Sequence, residues 1–431
     1  MRQSFIKRCL FIAIAALIGV SGARSALAQG RIATLAVDGR ASANPSIAAR
    51  GRFVAVAWSA ATTSSMDIFA AMSSDGGVTF SAPTRVNETL GEARVSGEQP
   101  PRIVLVPGKG ATPDAVVVWT AKAAAATRIL SARSTDGGRT FGATKAVPGS
   151  SGDGSRGWES VAVDSSGRVL VLWLDHRETG MAGAMHHQEP ATNAAAATPA
   201  PKMDPTERAA LSKLYFSSLD GASAIPITPS VCYCCKTSLV AAGGAVYAAW
   251  RHVYPGGQRD IAFTLSRDGG RTFASPTRVS DDKWKIDGCP ENGPAVAIDR
   301  ESRVHVVWPT PPDGKMDTPL ALFYATSRDG RQFTPRVQIP SRGPAAHAQM
   351  TIGADGAPMV AWDEIVDGAR RLAMARVRLD ASGKPTFTAV PAPDAASGAW
   401  YPVLATAATG TIVAWVRQSE KGSTIGVAPV K

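Results

Sequence analysis

Four cysteines carry the clearest chemical options in this chain. Cys232, Cys234 and Cys235 stand in the string C-Y-C-C, and Cys289 stands in G-C-P. Sulfurs at this spacing can pair as disulfides, and four of them allow three connectivities. We prefer the disulfide reading, with one bond from the C-Y-C-C segment to Cys289. A C-x-C-C cluster is nevertheless awkward for two simple disulfides. Thiolates also select copper(I) or zinc, and histidine or methionine nearby would suit copper. Such residues exist at His176, His252 and in the string M-A-G-A-M-H-H, which contains His186 and His187. The metal candidates are therefore the four cysteines with His176, His186, His187 and His252.

The compartment bears on this choice. Residues 1–28 read as a secretory signal peptide. Arg2, Lys7 and Arg8 precede a short apolar run, and Ala26-Leu27-Ala28 is a cleavage site. Export places the chain in the periplasm or outside the cell, where disulfides persist. No later stretch is apolar and long enough for a transmembrane helix. Of five cysteines the leader holds Cys9, which leaves four in residues 29–431. Loss of Arg2, Lys7, Arg8 and Arg24 lowers the formal charge from +11 to +7. That charge is modest and dispersed, so nucleic acid is not an expected partner.

The elements that position these residues form a repeat. Trp58, Trp119, Trp173, Trp250, Trp308, Trp362 and Trp415 each close a short Val/Ala-rich segment such as FVAVAW or VHVVW. They recur every 53 to 61 residues, apart from one gap of 77. Each unit reads as four strands, and a period near 50 with four strands describes a β-propeller blade. The fold class is therefore all-β, a single β-propeller. Seven markers favour seven blades, with six the alternative. The last unit ends after its third strand. Arg31–Val37 is predicted to complete it, so that the N-terminal strand of the mature chain closes the ring. The long gap holds an insertion at residues 178–212, read as a lid. It contains an Ala/Pro-rich linker and a short helix with Asp204 as N-cap and Glu207 in a capping box.

A second motif follows the third strand of several units. It reads S-S-D-G-G-V-T-F from Ser73, S-T-D-G-G-R-T-F from Ser134 and S-R-D-G-G-R-T-F from Ser266. A shortened copy, S-R-D-G-R-Q-F, starts at Ser327. Aspartate accepts nearby amides, glycine takes positive φ, and the aromatic anchors the turn. This motif resembles the Asp-box, or BNR, repeat of the sialidase-like propellers. Asp75, Asp136, Asp268 and Asp329 are accordingly read as structural.

The resemblance implies that chemistry belongs on the opposite face. There, loops follow the Trp strands and lead into each first strand. A sialidase site needs an arginine triad on the substrate carboxylate, a tyrosine nucleophile assisted by glutamate, and an aspartate acid/base. Its early F/Y-R-I-P motif is absent, the nearest string being Pro101-Arg102-Ile103-Val104. Candidates for these roles are Arg102, Arg177, Arg251, Asp175, Glu159 and Tyr401. The leading expectation is an exported binding propeller that does not hydrolyse sialic acids. It would carry a copper-type or zinc site of Cys, His and Met on the loop face, with an acidic glycan or a periplasmic protein as partner. The alternatives are a sialidase-type exo-glycosidase on acidic glycans and a protein-interaction scaffold. Whether catalysis occurs, and the oligomeric state, stay open at this level.

Overall fold

The computed structural model describes residues 32–124, 126–179, 204–286, 290–394, 397–420 and 422–430. They form seven four-stranded antiparallel sheets. Blade one comprises Ala41–Arg50, Phe53–Ala61, Met66–Ser73 and Thr84–Arg85. Blade two comprises Arg102–Val106, Asp114–Ala123, Ala126–Ser134 and Lys145–Ala146. Blade three uses Arg156–Val163, Val169–Asp175, Lys213–Ser218 and Ile225–Pro229. Blade four runs through Ser238–Ala242, Ala245–Tyr254, Gln258–Ser266 and Thr277–Arg278. Blade five follows with Ala295–Ile298, Val304–Thr310, Ala321–Ser327 and Val337–Gln338. Blade six has Ala345–Ile352, Pro358–Val366, Ala369–Leu379 and Pro385–Val390. Blade seven has Ala399–Ala407, Gly410–Ser419 and Gly422–Pro429, and Ala33–Leu35 pairs with the last of these, Ala33 facing Val427.

The second strands are almost wholly apolar because both faces are covered by neighbouring blades. All seven marker tryptophans are buried there. Each of the seven clusters that fill the core joins residues of adjacent blades, as Trp308 does with Phe263 and Val279. Burying each indole removes a large apolar area from water. The strands do not stop at tryptophan, however. Pairing with the third strand continues, so Arg251 lies opposite Ile261 and Asp363 opposite Leu372. Asp175, Arg251, His252, Tyr254, Asp363 and Glu364 thus sit in strand ends and not in the loops beyond them.

The S-x-D-G turns link third and fourth strands. In blade one, Asp75 Oδ1 accepts the Val78 and Thr79 amides at 3.0 Å, and Ser73 Oγ donates to it at 2.7 Å. Gly76 and Gly77 hold φ of 82° and 88°, which only glycine adopts cheaply. In blade two the Thr140 hydroxyl and amide hold the Asp136 carboxyl at about 2. Asp268 and Asp329 make the same turns. Blade six lacks this turn and has a longer fourth strand instead.

One helix, Pro205–Leu211, is described, and the Asp204 side chain accepts the Thr206 amide at its start. No helix among the described residues is long and apolar enough to cross a membrane. The leader, most of the insertion including His186 and His187, and Cys289 lie outside the described residues.

Candidate functional site

The loop-face site begins with a repeated backbone irregularity. The first strands of blades one, three, six and seven each carry a bulge. The residue inside it has left-handed φ: Asn44 at 55°, Trp158 at 54°, His347 at 55° and Tyr401 at 48°. A non-glycine residue held there costs on the order of 1 kcal/mol or more, and bulges re-aim side chains. Trp158, His347 and Trp400 lie near the starts of these first strands, not in the loops before them. They belong to the strands themselves, at these bulges.

The re-aimed groups meet charged residues of their own and of neighbouring blades. His347 Nδ1 lies 2.7 Å from Asp363 Oδ2, and the Tyr401 amide donates to the same oxygen at 3.0 Å. Arg370 pairs with the other carboxylate oxygen. The Tyr401 ring centroid is 4.1 Å from His347. Burial, with Glu98 and Asp363 nearby, pushes the Tyr401 phenol well up. Glu98 accepts the Gly293 amide at 3.0 Å and has Lys236 Nζ at 3.7 Å. Lys236 also donates to the Ala348 carbonyl at 2.7 Å, and burial lowers its pKa.

Glu159 is the most perturbed carboxyl of this group. It is fully buried and accepts the Thr120 hydroxyl at 2.7 Å. Gln99 Nε2 donates to that hydroxyl at 2.6 Å, and Arg102 Nε donates to the Glu159 carbonyl at 2.8 Å. Burial pushes Glu159 up to about 7, against the pull of Thr120 and Arg102. Gln99 Oε1, Arg102 Nη2 and Glu159 Oε1 are buried without partners among the described residues. Below this group an axial cavity of about 220 Å³ is lined by Ser46, Arg102, Ser160, Lys236, Thr237 and Gln349, among others. A larger apolar cavity of about 740 Å³ lies on the outer strands of blade six, lined by Met374 and Phe387.

A raised folded pKa has a defined sign. Between pH 4.5 and 7 the unfolded Glu159 has lost its proton while the folded one keeps it, so stability falls as pH rises. Glu159→Gln should remove this penalty. Its stability advantage over the parent should grow from nothing below pH 4.5 to about 3 kcal/mol above pH 7. Urea unfolding at pH 4 and pH 8 measures it, and parallel curves for the two proteins would refute it.

The remaining sequence candidates serve other ends. Asp175 accepts from Arg177 Nε at 2.8 Å and from Trp173 Nε1 at 3.1 Å, and Arg156 lies 3.5 Å away. Arg177 also donates to the Gly149 carbonyl. Arg251 is buried with its guanidinium spent on the carbonyls of Arg259, Asn292 and Pro309. His176 Nδ1 lies 3.1 Å from Ser212 Oγ, and burial lowers its pKa to about 4. His252 accepts from Trp250 Nε1 at 3.3 Å and packs on Tyr254. Of the predicted residues, Arg102, Glu159 and Tyr401 reach the axial group. Sequence reasoning missed Glu98, Gln99, Thr120, Lys236 and Asn292. A charged residue directly after C-Y-C-C was a signal for Lys236; no pattern marked Thr120.

The cysteines form a second group beside the first. Cys232, Cys234 and Cys235 place their sulfurs within 4.8 Å of one another, all buried. Cys232 and Cys235 are free thiols, with sulfurs 3.6 Å apart. This corrects the preferred disulfide reading for these two. No bond joins the three to each other, and Cys234 is itself disulfide-bonded. Arg259 Nη1 donates to Cys232 Sγ at 3.3 Å. The hydrogen bond from Cys235, with Arg259 and Arg251 close by, lowers the Cys232 thiol to about 6, while burial raises that of Cys235. A bonded Cys234 offers no thiolate, and His176 and His252 are engaged elsewhere. The described residues thus supply two thiols for a soft metal and no third strong donor.

No family model matches the chain, and no curated protein matches its sequence. Solved structures do resemble it. The GH93 α-L-arabinofuranosidase of Fusarium graminearum, solved with arabinobiose, has a TM-score of 0.50 at 11% identity over 93% of this chain and 98% of that one. The likeness is one of fold. The Hadza microbial sialidase Hz136 gives 0.49 at 16% identity over 85% and 74%. The intramolecular trans-sialidase from Ruminococcus gnavus gives 0.43 at 11% identity over 75% and 90%. At 11% identity the arabinofuranosidase lends this chain no residue roles.

Proposed function

We propose that this chain is an exported propeller that binds its ligand at the axial end of the loop face without hydrolysing sialosides. The observation that carries this reading is the fate of the arginines. A carboxylate clamp needs several guanidinium groups with free donors. Arg251 and Arg177 have theirs committed to carbonyls and to Asp175, and Arg102 alone of the three joins the axial group. The buried Gln99, Arg102 and Glu159 atoms without partners among the described residues are suited to a polar ligand instead. An acidic glycan or a periplasmic protein fits this chemistry and the charge.

A copper-type ion at the thiols belongs to the same reading as its finer part. Its support is the 3.6 Å sulfur pair. Competition for copper(I) between the reduced chain and a bicinchoninate probe tests it. Equal copper retention by the parent and by Cys232→Ser would remove it.

A second reading, a glycoside hydrolase, draws support from Glu159. A carboxyl that keeps its proton near neutral pH is the kind of group that serves as a general acid. Fluorogenic sialoside and arabinofuranoside substrates separate the two. We expect no release above the Glu159→Gln background. Turnover abolished in Glu159→Gln would overturn the binding reading.

A further inference from the structure

We propose that Cys232 and Cys235 are a peroxide-reactive dithiol, a redox site that goes beyond the binding reading and does not depend on it. The two free sulfurs lie 3.6 Å apart, so a modest side-chain rotation brings them to bonding distance. Arg259 directs a hydrogen bond at Cys232 Sγ from 3.3 Å, and its guanidinium also lies 5.5 Å over the Tyr233 ring. Among the described residues no carboxylate pairs with Arg259, so its charge acts on the sulfur. The Cys232 amide is fixed to the Arg251 carbonyl at 2.9 Å, which anchors the segment to blade four.

Burial decides the oxidant. Each sulfur residue is only 1% exposed, and the guanidinium groups of Arg208 and Arg259 both lie over the Tyr233 ring. A protein disulfide or oxidised glutathione is too large for such a site, whereas hydrogen peroxide is close to the size of water. In the first step Cys232 Sγ attacks one peroxide oxygen. An S–O bond forms, the O–O bond breaks, and the leaving hydroxide takes the thiol proton as water. Positive charge from Arg259 stabilises the attacking sulfur and the departing oxygen. In the second step Cys235 Sγ attacks Cys232 Sγ. An S–S bond forms, the S–O bond breaks, and hydroxide leaves with the Cys235 proton as a second water. Two thiols are oxidised and one peroxide is reduced to two waters.

The test uses the full mature chain in chelator-containing, metal-free buffer, so copper binding cannot affect the outcome. Hydrogen peroxide is added, the reaction is quenched, and thiols are counted after denaturation. The expected result is loss of two thiols per peroxide, with the peptide that carries residues 232–235 two mass units lighter. Cys232→Ser should react at least about tenfold more slowly. Cys235→Ser should stop at a sulfenic acid that dimedone traps. A comparison on the parent chain alone guards against misfolded variants: oxidised glutathione should act at least about tenfold more slowly than peroxide at equal concentration. Oxidation by both reagents at equal rates, or unchanged thiol loss in a folded Cys232→Ser, would overturn the proposal.

Discussion

Replacing Asp363 with alanine should destabilise the propeller by about 3–5 kcal/mol, the cost of removing one partner from a buried ion pair. Its carboxylate is fully buried and holds His347, Arg370 and the Tyr401 amide together. Burial alone would raise its pKa. The His347 hydrogen bond, helped by Arg370, outweighs this and holds the carboxyl below its ordinary range. The stabilisation is therefore present above the usual carboxylate range and fades as pH falls through the lowered value. In Asp363→Ala two bulged residues with left-handed backbone lose the partner that holds them. Asp363→Asn, which can still accept from Tyr401, should lose less. Urea unfolding at pH 7 measures the difference. A loss under about 1 kcal/mol for the alanine variant would mean that the network is not cooperative.

The second large effect is expected at a blade marker. Trp308→Ala should cost about 3–5 kcal/mol through lost apolar contact and the cavity left behind. Trp308 is fully buried, and its indole N–H donates to Asp282 Oδ2 at 2.7 Å. Asp282 also accepts from Arg336 at 2.8 Å, so the substitution disturbs the pairing of a buried carboxylate as well. Trp400 offers the contrast, since it is 38% exposed. Trp400→Ala should stay within about 0.5 kcal/mol, as exposed substitutions usually do. Similar losses at both positions would contradict the reading of the marker tryptophans as core anchors.

The marker tryptophans were legible in the sequence because they are periodic. Tryptophan at a near-constant spacing reports a repeated packing environment, and the S-x-D-G turns report a repeated local geometry. The turns depend on neighbours within one unit, and the tryptophans on a contact with the adjacent blade that repeats around the ring. The axial group depends on something else. Glu98, Glu159, Lys236, Asn292 and His347 come from the starts of five different blades and meet because the ring closes. Their placement also rests on bulges, which insert one residue and leave no mark in composition. Arg251 shows the same limit in reverse. It looked available next to tryptophan, yet three carbonyls from separate segments consume it. The cysteines were visible as a cluster. Which of them bond could not be read, because side-chain direction within C-Y-C-C decides it.

The seam in blade seven has a kinetic consequence. Ala33 pairs with Val427, Thr34 with Gly426 and Leu35 with Ile425. These are contacts between the two extremes of the described chain, and closing so long a loop carries a large entropic cost. The first six blades can stack in order as an open arc, each needing only its predecessor. The circle itself should form last and slowly, as topologies rich in distant contacts do. Tension applied across the ends would meet this joint of three residue pairs first, before the packing of blade one on blade seven.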